Sequence, residues 1–157
     1  MIFIGLILAV MALDLYFKAR IEKQQAESFP RPLPKTADKI RLYRSHNAGF
    51  PFGFLAQYKN VVCAVPLAIT SALAGVLYCL LLQPGKTAQK LGVSLLIGGS
   101  LSNLYDRLVR GYVVDYFSIR LGWLKKVVLN LGDVFVFAGA VLLLLHEFVR
   151  DFGSDGR

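Results

Sequence analysis

Two aspartates in this sequence, Asp115 and Asp133, have the chemistry to act as a pair. Two carboxyl groups that approach each other cannot both ionise cheaply, so the pKa of one rises and the pair shares a proton. The ionised member can then take a proton from water while the other protonates a carbonyl oxygen. Such a pair hydrolyses an amide bond with neither a metal nor a covalent intermediate, which makes these residues the candidate catalytic groups.

The elements that must position this pair are predicted to lie in a lipid bilayer. Of the 157 residues 55% are hydrophobic and the mean hydropathy is +0.54, whereas a soluble domain is about 45–50% apolar. The apolar residues gather in long runs, and a membrane-spanning helix needs roughly 20 of them. We therefore predict a mainly α fold, a single integral membrane domain over residues 1–157 with four transmembrane helices at about 1–17, 61–83, 90–105 and 127–149.

Two polar segments, about 18–60 and 106–126, are predicted to lie at the membrane interface. Aromatic residues separated by Gly and Pro at 47–54 are poor helix formers and favour a sheet or loop there. From Val113 onward the odd positions are largely apolar, and this period of two predicts an extended segment on the membrane surface. Asp115 falls on its apolar face.

Alternating helix direction brings the unusual polar residues to one side of the membrane. The end of the first helix, the start of the second, the end of the third and the start of the fourth must share that side. The residues at those positions are Asp14, Asn47, Gly49, Asn103, Asp106, Arg107, Asn130 and Asp133. Their convergence near one interface is what an interfacial active site requires.

The predicted depth of Asp133 strengthens its candidacy. If the fourth helix enters the membrane near Val127, Asp133 lies roughly 9 Å inside at 1.5 Å per residue. An ionised carboxylate at that depth is costly and marks a functional site. The alternatives are a structural hydrogen bond to a neighbouring helix for Asp133 and an ordinary loop position for Asp115. The pair is more informative than either member.

Several other classes of protein are disfavoured. The net charge of +8 makes a nucleic-acid-binding protein the first alternative. The Lys and Arg residues lie between the apolar runs, however, where they suit lipid headgroups and membrane flanks. Cys63 and Cys79 are too far apart along one predicted helix to form a disulfide. His46 and His146 have no cysteines at ligand spacing, so we predict no metal site and no cofactor.

Motifs throughout the chain resemble those of the bacterial lipoprotein signal peptidase family, also called signal peptidase II. Residues 98–107, GGSLSNLYDR, are similar to the family's GGALGNxxDR, and residues 111–116, GYVVDY, are similar to its GxVVDF. Residues 129–133, LNLGD, resemble FNxAD, and residues 47–53, NAGFPFG, resemble NxGAAF. Asp14 and Lys18 sit as the D and K of the DQxxK motif. The motifs occur in the family's order and cover nearly the whole chain.

The resemblance implies a membrane aspartic endopeptidase that removes signal peptides from prolipoproteins by cutting on the amino side of a diacylglyceryl-modified cysteine. It makes Asp115 and Asp133 the catalytic pair. It gives substrate-binding or site-ordering roles to Asp14, Lys18, Asn47, Gly49, Asn103, Arg107 and Asn130. It also implies a small extracytoplasmic β-cradle in a multi-pass protein of the bacterial cytoplasmic (inner) membrane, with cytoplasmic termini and an active site near the outer face. We expect a monomer whose partners are prolipoprotein substrates and membrane lipids.

Some positions depart from the family pattern. Leu15 stands where the family has Gln, Ser102 and Gly132 replace a Gly and an Ala, and Phe50-Pro51 replaces a small pair. The aspartates, asparagines and arginine are kept, so the departures bear on substrate preference and inhibitor response. Two alternatives stay open, an inactive or divergent relative acting as a membrane scaffold and a proton-relaying transporter. A transporter would spread its polar residues through the membrane depth, whereas here they cluster.

The distribution of positive charge points to the opposite orientation. Nine of the 18 Lys and Arg residues lie in residues 18–59 and five lie in residues 106–126. The positive-inside rule would place both segments in the cytoplasm. We keep the family orientation because the cleavage site of the family's substrates lies at the outer face.

Overall fold

A computed structural model describes residues 1–50 and 53–154 of the chain. Over that part the chain forms four α-helices and three short strands. The helices are α1 (Ile2–Glu22), α2 (Lys59–Leu81), α3 (Thr87–Val109) and α4 (Leu131–Ser154), and the strands are β1 (Arg31–Pro32), β2 (Ile40–Asn47) and β3 (Val113–Ile119). The predicted mainly α class with a small β region is therefore confirmed. Pro51 and Phe52, in the stretch similar to NxGAAF, lie outside the described residues.

Among the described residues, α1, α2 and α4 are long and apolar enough to cross a membrane. The remaining helix, α3, packs against all three of them and buries more of its residues than α1 or α2. Many of its buried residues are small or polar, including Gly92, Ser94 and Ser102. A helix surrounded by other helices does not need the apolar surface that lipid demands, which explains its lower hydropathy.

Glycines let α3 approach its neighbours closely. A Cβ added at Gly98 would lie 2.8 Å from the Cβ of Val10 on α1. A Cβ added at Gly99 would overlap the carbonyl oxygen of Gly132 on α4. Small residues at these crossings allow backbone-to-backbone packing, and the second crossing holds the start of α4 against α3.

The strands form one antiparallel sheet in the order β1-β2-β3. In its register Ser45 pairs with Asp115 and Asn47 pairs with Val113, with an irregularity between Leu42 and Ser45. The predicted extended segment is thus confirmed as β3. The expectation of a single buried face is wrong, however, because all four residues from Val113 to Tyr116 are buried. Val114 and Tyr116 form a small core with Ile21 of α1, so β3 is covered on both faces.

Helix boundaries differ from the predicted ones in two places that matter for the site. Helix α1 continues to Glu22, so Lys18 lies inside the helix and not at its end. Helix α4 begins at Leu131 and not at Val127, because Leu129 still pairs with Phe117 as an isolated bridge and Asn130 caps the helix. Asp133 is therefore the third helical residue, in the first turn, and the helix start at Val127, on which the predicted depth of Asp133 depended, was predicted too early.

Candidate active site

Asp133 is held at the N-terminus of α4 by a reciprocal capping arrangement. The backbone N–H of Asp133 donates to Asn130 Oδ1 at 2.9 Å, and Asp133 Oδ2 accepts from the Asn130 backbone N–H at 3.2 Å. This is the capping box, here built from Asn and Asp in place of Ser or Thr and Glu. The helix N-terminus also favours a negative charge, so the local fold both fixes and stabilises this carboxylate.

Asp115 is connected to Asp133 through the same capping residue. Asn130 Nδ2 donates to Asp115 Oδ1 at 2.7 Å, so one fully buried amide contacts both carboxylate-bearing segments. Burial raises the pKa of Asp115 to about 7, with a further contribution from the charge on Asp133, while the Asn130 hydrogen bond opposes the rise. At neutral pH Asp115 is poised to carry the proton that a carboxylate pair shares.

Asn103 holds the other oxygen of Asp133. Asn103 Nδ2 donates to Asp133 Oδ1 at 2.8 Å, and Asn103 Oδ1 accepts from Lys18 Nζ at 2.7 Å. The lysine contact leaves the amide nitrogen free to face Asp133, which fixes the orientation of the Asn103 side chain. Lys18, which lies four residues after Asp14 on α1, thus acts on Asp133 indirectly, through the side chain of Asn103.

Behind the pair lies a buried polar network made of Asp14, Lys18, Ser102 and Asp106, all 0% exposed. Lys18 Nζ forms ion pairs with Asp14 at 2.8 Å and with Asp106 at 3.1 Å. Asp106 Oδ2 also accepts from the backbone N–H of Val114 at 3.1 Å. Buried charges need such partners because desolvation is costly. Asp106 therefore has a structural role, tying the start of β3 to α3.

Asn47, Gly49 and Arg107 form a second cluster. Asn47 Oδ1 accepts from the Gly49 N–H at 3.0 Å, and the Gly49 carbonyl accepts from Arg107 Nη2 at 3.3 Å. A Cβ at Gly49 would lie 2.6 Å from the carbonyl oxygen of Phe54, so glycine is required there. Arg107 Nε is buried and has no hydrogen-bond partner among the described residues, which leaves a donor for a ligand.

A cleft of about 200 Å³ opens beside Asp133. Its polar side chains include Asn103, Arg107 and Asp133, and α2 supplies an apolar wall. The lining residues are Phe50, Val65, Pro66, Ile69, Thr70, Ser100, Asn103, Arg107, Asp133 and Val136. An apolar groove with a few convergent polar groups suits an extended, largely apolar ligand.

The structure brings together every residue that the sequence marked for the site. Asp14, Lys18, Asn103 and Asn130 contact the aspartates or each other directly, and Asn47 forms a side-chain hydrogen bond with Asp115. Gly49 contacts Asn47 and Arg107, and Arg107 lines the cleft. Two contributors, Ser102 and Tyr116, were missed. Ser102 Oγ donates to Asp14 at 2.6 Å and Tyr116 Oη donates to it at 3.1 Å. The sequence signal was weak, since Tyr116 differs from the motif's Phe by one hydroxyl and Ser102 differs from its Gly by one hydroxymethyl group.

Within residues 1–50 and 53–154 no group of three or more His, Cys, Asp or Glu is arranged to hold a metal ion. The chemistry that the site itself offers is acid–base chemistry. Asp115 can hold a proton near neutral pH, and Asp133 lines the cleft and accepts hydrogen bonds from Asn103 Nδ2 and from the Asn130 backbone N–H. Two carboxylates with different environments can act as acid and base on one bond.

The sequence of this chain is similar to those of known proteins over most of its length. The family model described as Signal peptidase (SPase) II matches residues 6–149. Lipoprotein signal peptidases of Brucella ovis and Brucella canis are each 38% identical to this chain over 112 residues, which cover 70% of this chain and 68% of theirs. Because the family match spans most of the sequence, it confirms the resemblance seen in the motifs.

Solved structures agree on the fold. A protein described as a bacterial membrane enzyme superposes with a TM-score of 0.79 at 20% identity, covering 97% of this chain and 90% of that chain. A second structure with the same description gives a TM-score of 0.76 at 20% identity and covers 92% of this chain. Family match, curated relatives and fold agree, and the chain belongs to the signal peptidase II family.

Proposed function

We propose that this protein is a membrane aspartic endopeptidase that removes signal peptides from prolipoproteins, cutting on the amino side of a diacylglyceryl-modified cysteine. The substrate class is supported by the relatives named lipoprotein signal peptidase. The observation that carries the aspartic mechanism is the contact of Asn130 with both aspartates, Asp115 through its side chain and Asp133 through the capping box. This contact supports a pair in which Asp133 lines the apolar cleft and Asp115 lies against the same Asn130 side chain.

The two aspartates take different roles in the proposed reaction. Asp133 accepts a proton from water, because its carboxylate faces the cleft and is supported by Asn103 and the helix N-terminus. The water oxygen attacks the carbonyl carbon, and protonated Asp115 donates its proton to the carbonyl oxygen. When the tetrahedral intermediate collapses, the C–N bond breaks, Asp133 returns the water's proton to the leaving amine nitrogen, and one hydroxyl of the intermediate returns its proton to Asp115 as the C=O bond re-forms. Neither a metal nor a covalent intermediate enters this scheme.

The surrounding residues bind substrate or order the pair. Arg107 offers its Nε, which has no hydrogen-bond partner within residues 1–50 and 53–154. The Gly49 carbonyl that Arg107 contacts lies on the segment leading from Asn47 into the loop before α2. These groups suit the backbone of an extended peptide. Lys18 orients Asn103, and Asp14 anchors the start of α4. We assign these two residues to ordering the site and not to the chemistry.

The proposed function also fixes how the protein lies in the membrane. With α3 enclosed by the three apolar helices, all four helices would cross the cytoplasmic membrane, with both termini in the cytoplasm and the sheet at the outer face. The basic segments would contact anionic lipid headgroups. The cleft is complete within one chain, which supports a working monomer.

Processing of a lipid-modified precursor by purified protein in liposomes tests this function. The matched substrates are a diacylglyceryl-modified precursor and the same precursor with its lipid-bearing Cys replaced by Ser. Cleavage of the first alone, with the modified cysteine as the new N-terminus, is the expected result. Equal cleavage of both substrates would contradict the lipid requirement, and cleavage of neither would contradict the function.

A further inference from the structure

The buried carboxylate of Asp14 accepts hydrogen bonds from four donors of the protein. Its Oδ1 accepts from Tyr116 Oη at 3.1 Å and from the Leu131 backbone N–H at 3.0 Å. Its Oδ2 accepts from Ser102 Oγ at 2.6 Å and from Lys18 Nζ at 2.8 Å. Asp14 is 0% exposed. A buried carboxylate so fully satisfied is held in one position.

The four donors come from four different elements. Lys18 lies on α1 with Asp14, Ser102 lies on α3, Tyr116 lies on β3 and Leu131 is the first residue of α4. The Leu131 N–H is shared, since it also donates to Tyr116 Oη at 3.0 Å. Asp14 and the Tyr116 hydroxyl therefore meet at the first amide of the helix that carries Asp133, and the Ser102 hydroxyl holds the other oxygen of Asp14.

The catalytic elements are direct neighbours of these contacts in sequence. Tyr116 follows Asp115, and Leu131 follows Asn130, whose amide contacts Asp115. A shift of the first turn of α4 against β3 would therefore change the distance between the two aspartates. A Cβ added at Gly132 would lie 2.8 Å from Asp14 Oδ2, so this turn is packed directly on the Asp14 carboxylate.

We propose that the hydroxyls of Ser102 and Tyr116 are positioning groups that hold Asp14 against the first turn of α4 and thereby set Asp133 against Asp115. The inference rests on the proposed function. The family motifs quoted above carry Gly and Phe at these two positions, so the hydroxyls belong to this chain and not to the motif. They act through Asp14 and are not among the residues that line the cleft.

The test uses Tyr116→Phe and Ser102→Ala, each of which removes one hydroxyl from a buried site. We expect kcat to fall about 3- to 10-fold, the cost of one hydrogen bond, with KM within about twofold because the cleft wall is unchanged. The alkaline limb of the pH profile should move to lower pH, because a loosened α4 admits water beside Asp115 and reduces the burial that raises its pKa.

Matched controls separate positioning from general stability. Tyr105→Phe removes the hydroxyl of a half-exposed tyrosine on α3, and Ser94→Ala removes a buried serine hydroxyl that donates to the Lys90 carbonyl of its own helix. Both should keep the wild-type kcat and pH profile. If Ser102→Ala and Tyr116→Phe match these controls in both readouts, the proposal is overturned.

A second measurement does not depend on activity. Amide hydrogen exchange of a peptide spanning residues 129–136 should be faster in Tyr116→Phe than in wild type, while exchange in α2 should be unchanged. Unchanged exchange at 129–136 would overturn the positioning role. If wild-type protein fails to cleave the lipid-modified precursor, the proposed function fails, and the exchange result still decides the positioning claim.

Discussion

At the scale of single residues, the site distinguishes two aspartates by their surroundings. Asp115 lies on a strand buried on both faces, and its main partner is the Asn130 amide. Asp133 lies in the first turn of a helix and faces the cleft. Burial raises the pKa of Asp115 to about 7, whereas Asp133 accepts from Asn103 at a helix N-terminus and lines the cleft where a substrate would lie. This asymmetry assigns the acid and base roles within the proposed mechanism.

The rate of cleavage should fall above about pH 7. Burial raises the pKa of Asp115 to about 7, so the proton it donates is present below that pH and is lost as the pH rises through it. On the alkaline side kcat should fall about tenfold per pH unit, as for a single ionisation. The measurement is a kcat profile from pH 5 to 9 in liposomes. A rate that keeps rising to pH 9 would contradict the acid role of Asp115.

Replacing Asn130 separates its two functions. Asn130→Ser keeps a good N-cap but loses the amide that donates to Asp115, whereas Asn130→Ala loses both. We expect Asn130→Ala to lower the free energy of unfolding by about 0.5–2 kcal/mol and Asn130→Ser to lower it less. Both should lose most activity. Thermal unfolding and cleavage assays on the same samples check this, and full activity in Asn130→Ser would show that the contact with Asp115 is dispensable.

At the scale of elements, the site depends on how closely α3 and α4 approach each other. Gly99 and Gly132 face each other where the helices cross, and the buried network lies beside that crossing. The fixed distance between these two backbones lets Asn103 on α3 reach Asp133 on α4 with a bond of 2.8 Å.

Adding one methyl group at this crossing should be destabilising. Gly99→Ala places a Cβ against the Gly132 backbone, which cannot move without shifting α4, so we expect a loss of about 1–3 kcal/mol in the free energy of unfolding. Gly75→Ala on α2 is the matched control, because nothing lies within 4 Å of its added Cβ. Thermal unfolding in detergent measures both. Equal stability of the two variants would contradict the close packing.

The elements also show what the sequence could and could not predict. The order of the apolar runs sufficed to bring Asn103, Asn130 and Asp133 to one end of the bundle, because consecutive helices alternate in direction. The start of α4 was predicted too early, since residues 127–130 are apolar enough to read as helix although Leu129 pairs with β3. The roles of Ser102 and Tyr116 depend on Asp14, which lies 88 and 102 residues away, and no local pattern reports such contacts.

At the scale of the whole molecule, one end of the helix bundle carries the chemistry. The sheet, the aspartates and the buried network lie at the end where α1 and α3 finish and α2 and α4 begin. Polar residues concentrated there fit an enzyme that meets its substrate at a membrane interface. A proton-relaying transporter would instead need polar groups along the bundle, and α2, from Lys59 to Leu81, has no charged residue beyond its first.

Orientation in the membrane is tested by reporters at defined positions. We expect a reporter fused after Arg157, and another inserted in the turn at residues 83–86, to be active in the cytoplasm, because four spans place both there. This outcome departs from the positive-inside rule, because that rule would place the basic segments at 18–59 and 106–126 in the cytoplasm. Periplasmic activity of the C-terminal fusion would contradict the proposed topology.

The most direct test of the central claim is cleavage of a diacylglyceryl-modified precursor by purified Asp115→Asn and Asp133→Asn variants. Asparagine keeps the size of the side chain but cannot hold or transfer the shared proton. With Asp38→Asn, an exposed surface change, as the matched control, both variants should insert and fold like wild type yet cleave less than about one thousandth as fast. Processing at the wild-type rate by either variant would contradict the aspartate pair as the catalytic group.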